Sequence, residues 1–330
     1  MAIRTIHVGA WNRARAHLGV MSDSEVYEPV ALVDTNQEFL AKGRELSGLG
    51  EDASYGTLAE ALGEHDCEAV VVVTPVMLHA PFIDEALAAG KHVMVEKPFT
   101  VDLADAERAV ATAERQGLQL LVTQNDRLNP VFKTMRRHLE EETFGPPGYA
   151  VMIHDKPRNR PYHNSPHMHL WQQGVHQLDT LIATIPRTPI RVRGLSVEPP
   201  WGNWPTPSLA HATIEFDDAS SATYVGTSQA RHAEFHFTIE CADAAIAAVS
   251  PTGGAGDASL VVKQGSEVEA LDVDEPPNGM TEDEQISDMF ARQILKGEDT
   301  ELSGRNNLTT IRVVDAVAQS TELGTVVDLS

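Results

Sequence analysis

Residues 69–73 read Ala-Val-Val-Val-Val, a continuous apolar run with no polar alternation. Such a run fits a strand buried on both faces and is far too short to span a membrane. A strand of this kind belongs in a parallel sheet covered by helices, and the surrounding sequence supplies both. Strand-like runs occur at Ile3–Val8, Val30–Val33, His92–Val95 and Gln119–Val122. Helical stretches lie between them at Gln37–Leu46, Leu58–Leu62, His79–Ala89 and Leu103–Gln116. In the last of these Ala106, Val110 and Ala113 recur at helical spacing, Asp102 is placed to cap the start, and Gly117 fits the position after the end. The alternation predicts right-handed crossovers and a doubly wound parallel sheet.

The pattern changes near residue 125. A helix is expected at Trp171–Thr184, then strands at Ile190–Val197, Ala210–Phe216, Ser221–Thr227, Glu234–Cys241, Ala245–Val249 and Leu260–Lys263. Consecutive strands at this spacing predict an antiparallel sheet. Helices follow at Thr281–Lys296 and Asn307–Leu323, with Gly297 and Gly324 at their ends. A chain of 330 residues exceeds what one core usually supports. The expected division is a dinucleotide-binding domain over 1–125 and an α+β domain over 126–330.

Composition narrows the partners. With 48 acidic and 25 basic residues the formal charge is −23. A nucleic-acid backbone would be repelled, and no basic stripe stands out, so nucleic acid is not an expected partner. Only seven of the basic residues are Lys, which fits either a salt-rich cytoplasm or an Arg-rich codon bias. No apolar stretch of roughly 18 residues is present, so no membrane span is expected. Met1–Thr5 enters directly into a strand-like run, without a secretory leader, and Cys67 and Cys241 are too few for a disulfide framework. A cytoplasmic location follows as the expectation.

A doubly wound sheet binds its ligand where the first strand meets the first helix. That turn reads Gly9-Ala10-Trp11-Asn12-Arg13-Ala14. Gly9 and Ala14 fit the first and third positions of G-x-G-x-x-G/A, whereas Trp11 stands where the second Gly would let backbone approach a pyrophosphate. Asp34 lies 20 positions after Ala14, at the end of the second strand, where a carboxylate can accept from ribose hydroxyls. With no Arg at 35–38 to receive a 2′-phosphate, NAD is favoured over NADP, although Arg13 and Arg15 can also contact phosphates.

Several segments, taken in order, resemble the Gfo/Idh/MocA family of NAD(P)-dependent oxidoreductases, named for glucose–fructose oxidoreductase and inositol dehydrogenase. They are Thr74-Pro75 followed by His79, Ala89-Gly90-Lys91-His92-Val93 leading into Glu96-Lys97-Pro98, Arg127 with Pro130, and Gly174-Val175-His176-Gln177-Leu178-Asp179. Ser303-Gly304-Arg305-Asn306 before the last helix completes the set. The resemblance implies a Rossmann domain followed by a domain with a large open, mainly antiparallel sheet. It also implies oxidation of a secondary alcohol of a sugar or cyclitol, or the reverse, and a homodimer or homotetramer assembled through that sheet. It adds Asn12, Thr74, Pro75, His79, Glu96 and Gln124 to Gly9, Trp11, Arg13, Asp34 and Lys97 as cofactor-binding candidates.

Hydride transfer from an alcohol needs a proton acceptor and a group that stabilises charge on the oxygen. Lys97, after a strand at the carboxyl edge of the sheet, suits the second role, and the resemblance implies the same. His176 suits the first, because an imidazole titrates near neutrality. In the family an Asp four residues earlier pairs with this His; here the position is Gln172, and Asp179, one turn later, is a candidate substitute. Arg127, Arg160, His163, His169 and Gln172 join Lys97 and His176 as substrate-binding candidates, forming with Arg158 and Tyr162 a polar wall for hydroxyl or carboxyl groups. Three His within residues 163–169 also raise the lesser reading of a metal site. No Cys accompanies them, and His167 and His169 point to opposite faces of an extended chain, so no metal is expected. Two alternatives stay beside the dehydrogenase reading: transient oxidation that assists glycoside cleavage or elimination, and a non-catalytic ligand-binding protein.

Overall fold

The computed structural model describes residues 2–161 and 166–329. The chain divides into two compact units, residues 1–125 with 277–308 and residues 126–276 with 309–330. A boundary near 125 matches the change of pattern in the sequence. Residues 277–308 pack with the first unit, whereas the change of sequence pattern near 125 predicts them in the second.

In the first unit, strand β1 (Ile3–Val8) leads into helix α1 (Arg13–Ser22), then β2 (Tyr27–Val33), α2 (Gln37–Ser47), β3 (Ser54–Tyr55), α3 (Leu58–Glu64), β4 (Ala69–Val72), α4 (His79–Ala88), β5 (His92–Val95), α5 (Leu103–Gln116) and β6 (Leu120–Val122). The strands are all parallel in the order β3-β2-β1-β4-β5-β6, the doubly wound arrangement. Every residue of β4 is wholly buried, as its unbroken valines require. Asp102 caps α5 by accepting from Asp105 N, and Gly117 ends it at φ 69°. The sheet order reverses between β1 and β4, and there Gly9 sits at φ 95°. A Cβ at Gly9 would lie 2.1 Å from the Val73 carbonyl oxygen, so the two strand ends meet only because residue 9 has no side chain.

The second unit opens with α6 (Pro130–Glu140), β7 (Pro147–Asp155) and α7 (Val175–Thr184), then runs through β8 (Pro189–Val197), β9 (Leu209–Phe216), β10 (Ser221–Thr227), β11 (Glu234–Cys241), β12 (Ala245–Ser250), β13 (Ser259–Gln264) and β14 (Glu267–Ala270). Among the described residues these join β15 (Val327–Asp328) in a nine-stranded sheet of order β14-β13-β12-β11-β7-β10-β9-β8-β15. Its pairs are antiparallel except β7 with β10, which is parallel. One face, carrying Met152, Ile214, Tyr224, Phe235, Phe237 and Ile239, is buried. Phe132 of α6 packs edge-on against Phe235 at 5.8 Å between centroids. Such aromatic pairs add about 0.5–1.5 kcal/mol beyond area burial. The expected helix at Trp171–Thr184 divides into a π-helical turn, Leu170–Gly174, and α7.

After this sheet the chain returns to the first unit as α8 (Glu282–Lys296) and the start of α9 (Gly304–Leu323). Thr281 and Glu284 form a capping box at the start of α8, and the first turn carries Glu282, Asp283 and Glu284, the sign that a helix N-terminus favours. Tyr27 of β2 donates to the Ser287 carbonyl at 2.6 Å. Just before α9, Val122 N donates to Leu302 O at 2.9 Å and Leu121 bridges Ser303, so the exposed edge of β6 is covered by the returning chain. No described helix is long and apolar enough to cross a membrane.

Gly9→Ala should lower stability by more than about 1 kcal/mol, because the new Cβ meets backbone that cannot yield. The urea midpoint of the variant measures this, and an unchanged midpoint would contradict the close approach described.

Candidate active site

At the switch point of the parallel sheet the turn after β1 is ordered by the end of β2. Asp34 accepts from Ala10 N at 2.9 Å through one carboxylate oxygen and from Asn36 N at 2.8 Å through the other. Each oxygen retains a second lone pair, so the carboxylate can still receive a hydroxyl. Trp11 does not fill the turn. It is half exposed and stacks on Phe39 of α2 at 4.6 Å, with the Arg15 guanidinium and the Lys42 ammonium 5.1 and 5.4 Å from its ring centre. Asn12 takes up the positive φ, 49°, that starts α1.

Beyond β5 comes Glu96-Lys97-Pro98, with a cis peptide between Lys97 and Pro98. Glu96 is buried, and its carboxylate lies 3.2 Å from His17 Nε2 and accepts from Thr123 Oγ1 at 2.9 Å. Arg13 stands 3.7 Å from the same carboxylate and forms a bidentate pair with Asp283 at 3.1 and 2.6 Å. Burial pushes the Glu96 carboxyl up. The His17 hydrogen bond and the charges of His17, Arg13 and Lys97 outweigh it and hold the group at about 2. Glu96 and Arg13 therefore brace the turns, and the Arg13 guanidinium is already committed to two carboxylates. His79 is likewise buried, its Nδ1 2.8 Å from Pro98 O and its Nε2 3.0 Å from Thr74 O. It ties the loops after β4 and β5 together and acts through them, with Thr74 and Pro75 in the first of those loops.

Three features of this unit fit a dinucleotide. Asp34 stands at the end of β2 with acceptor capacity to spare. The Thr74 hydroxyl is buried without a hydrogen-bond partner. Gln124 is 1% exposed, and neither end of its amide has a partner, the arrangement expected where a ligand amide completes the pairing.

In the second unit α7 presents His176 and Asp179 three residues apart, on one face. Asp179 is wholly buried and accepts from Arg127 Nε at 2.8 Å, Arg127 Nη2 at 2.6 Å and Thr310 Oγ1 at 2.6 Å. Arg127, expected to bind substrate, is thus a structural cation whose side chain is only 8% exposed. His169 departs from expectation in the same way. It is wholly buried, with Nδ1 2.8 Å from Ser228 Oγ and Nε2 3.4 Å from Tyr224 OH, and burial holds its imidazole at about 3, neutral at physiological pH. Gln172 is half-buried in the π-helical turn, and Arg160 is exposed. His163 lies outside the described residues. A carboxylate absent from the sequence expectations, Asp126, has its Oδ2 3.7 Å from His176 Nδ1. Its only sequence signal was its place just past the end of β6, next to Arg127. Among the described residues, donor atoms of Asp155, His232 and Glu234 come within 4.8 Å of one another, and none of these belongs to the His-rich run.

Comparison with known proteins bears on these features. Residues 3–124 match the Gfo/Idh/MocA family, described as "Oxidoreductase family, NAD-binding Rossmann fold". D-apiose dehydrogenase of Paraburkholderia graminis is 31% identical over 42% of this chain and 37% of its own length. A dTDP-3,4-didehydro-2,6-dideoxy-α-D-glucose 3-reductase of Streptomyces violaceoruber is 34% identical over 36% of this chain and 35% of its own. The chain therefore spans little more than a third of either relative. The fold extends further: a Bordetella pertussis dehydrogenase solved with NADH and UDP-GlcNAcA superposes with a TM-score of 0.84, at 19% identity, over 100% of this chain and 99% of that one.

The depressed carboxyl of Glu96 has a defined pH signature. Its stabilising effect is complete above the unfolded-state value near 4.5 and is lost as pH falls through about 2. Glu96→Gln should remove on the order of 3 kcal/mol of stability at pH 7, and the difference from wild type should shrink between pH 4.5 and 2. Denaturant midpoints across that range check it; a difference that stays constant with pH would refute the paired-carboxylate account.

Proposed function

From an N-terminal domain that belongs to the Gfo/Idh/MocA oxidoreductase family, we propose that this chain is an NAD-dependent dehydrogenase or reductase acting on a secondary alcohol of a sugar, cyclitol or related polyol. The observation that carries the reading is Asp34 at the end of β2, braced by Ala10 and Asn36, in a unit whose sheet order and sequence both match the NAD-binding fold. The substrate class is supported by relatives named for apiose and for a dTDP-sugar.

Asp34 would take the ribose hydroxyls, which favours NAD over NADP. The backbone around Gly9 and Asn12 would face the phosphates, and the Thr74 hydroxyl and Gln124 amide would satisfy their buried polar atoms against the bound nucleotide. When bound, the nicotinamide supplies the hydride acceptor or donor. Lys97 would donate a hydrogen bond to the reacting oxygen and stabilise negative charge developing on it. His176 would take the hydroxyl proton. Gln172 and Arg160 remain candidates for substrate hydroxyls. Arg127 and His169 are left out because their polar atoms serve the fold. We extend the proposal to a homodimer or homotetramer built on the second unit's sheet, whose outer face carries the exposed Tyr149 and Leu195.

Titration with NADH and NADPH, followed by Trp and nucleotide fluorescence, should show binding with NADH the tighter ligand; binding of neither would overturn the proposal. On a polyol oxidised with a rise at 340 nm, Lys97→Ala and His176→Ala should each lower kcat about 10²–10⁴-fold. Rates like those of wild type would refute the assigned roles.

A further inference from the structure

We propose that Asp126 is the charged positioning partner of His176, supplying from a separate turn the carboxylate that Gln172 lacks. The inference rests on the proposed role of His176 as proton acceptor.

An imidazole that receives a proton becomes a cation, and a half-buried cation needs a facing negative charge. On its own helix His176 has Gln172, which is neutral, and Asp179, which is engaged by Arg127 and Thr310. Asp126 approaches His176 from a separate turn. Its Oδ2 lies 3.7 Å from His176 Nδ1, with the two side chains 22% and 14% exposed. That distance is in the range of an ion pair, and the low exposure limits screening by water.

The backbone explains how the pair is held. Asp126 and Arg127 are neighbours in the tight turn Asn125–Leu128, and His176 and Asp179 share a face of α7. Arg127 clamps Asp179 through two short hydrogen bonds, and the same turn therefore delivers Asp126 to the residue one helical turn before Asp179. With Asp126 facing Nδ1, the proton is assigned to Nε2. In that step the substrate O–H bond breaks, an N–H bond forms at Nε2, and Asp126 keeps its charge throughout.

Asp126 also acts on Lys156, just past β7, where burial and Arg158 push the ammonium pKa down and Asp126 opposes them. Arg158 donates to Gln173 Oε1 at 3.0 Å. Asp179 and Arg127 largely neutralise each other.

The test is an NMR titration of His176 in the full-length protein without nucleotide or substrate, its resonance assigned with His176→Gln. Asp126→Asn should lower the His176 pKa by about one unit, the smaller end of the shift an adjacent opposite charge produces. Asp126→Glu, which keeps the charge, should restore most of it. In the oxidation reaction Asp126→Asn should lower kcat roughly 10- to 100-fold with little change in KM, and should move the acid limb of kcat/KM to lower pH by the same amount. Asp126→Ser serves as a second neutral variant should the amide disturb folding. An unshifted His176 in both neutral variants overturns the pairing even in an active enzyme. Equal losses in Asp126→Asn and Asp126→Glu also overturn it, by marking the residue as structural. A shifted His176 in a protein that oxidises no polyol upholds the pairing and refutes the function proposed above.

Discussion

The first unit is organised around one buried negative charge. Glu96 is taken out of water at the end of β5, and a carboxylate in that position is tolerated only when its lone pairs are met. His17 on α1, Thr123 beyond β6 and the nearby Arg13 meet them. Arg13 is in turn held by Asp283 on α8, 270 residues later in the chain. Strand ends that would otherwise be linked only through the sheet are thus joined by a side-chain network. Lys97 and Asp34, the residues with proposed chemical roles in this unit, stand on the turns whose neighbours belong to that network or lie beside it.

Most of the parallel sheet was legible in the sequence because its signals are local. β5 and α5 were found to the residue, since unbroken apolar runs and a capped amphipathic stretch mark them without reference to anything distant. α1 was missed because Arg13, Arg15 and His17 interrupt its apolar face. Those same residues contact Trp11, Glu96 and Asp283, partners that lie outside the helix. β7 was missed as well, hidden between a Pro-Gly turn and an Arg-rich loop, although it joins β10 and β11 at the middle of the large sheet.

The candidate site divides along the same line. The place of Asp34 at the end of β2 is legible because its spacing from the first turn is a property of the local fold. The pairs Arg127–Asp179 and Asp126–His176 bridge about fifty residues of sequence, and no periodicity reports them. Two adjacent residues of opposite charge, Asp126 and Arg127, end up serving two residues three apart on one helix. His169 shows the converse error: a His in a polar run looked like part of a binding surface, yet burial and Ser228 make it part of the core.

The return of residues 277–308 to the first unit has a consequence for the order of events during synthesis. When the ribosome has released only the first 125 residues, the outer edge of β6 has no Leu302 to pair with, and Arg13 has no Asp283. The nascent unit carries an open strand edge and an Arg13 that lacks its Asp283 partner until residues 277–308 have emerged. Residues 277–308 close that edge and supply that carboxylate once they emerge, so folding of the first unit is completed by a segment made after most of the second.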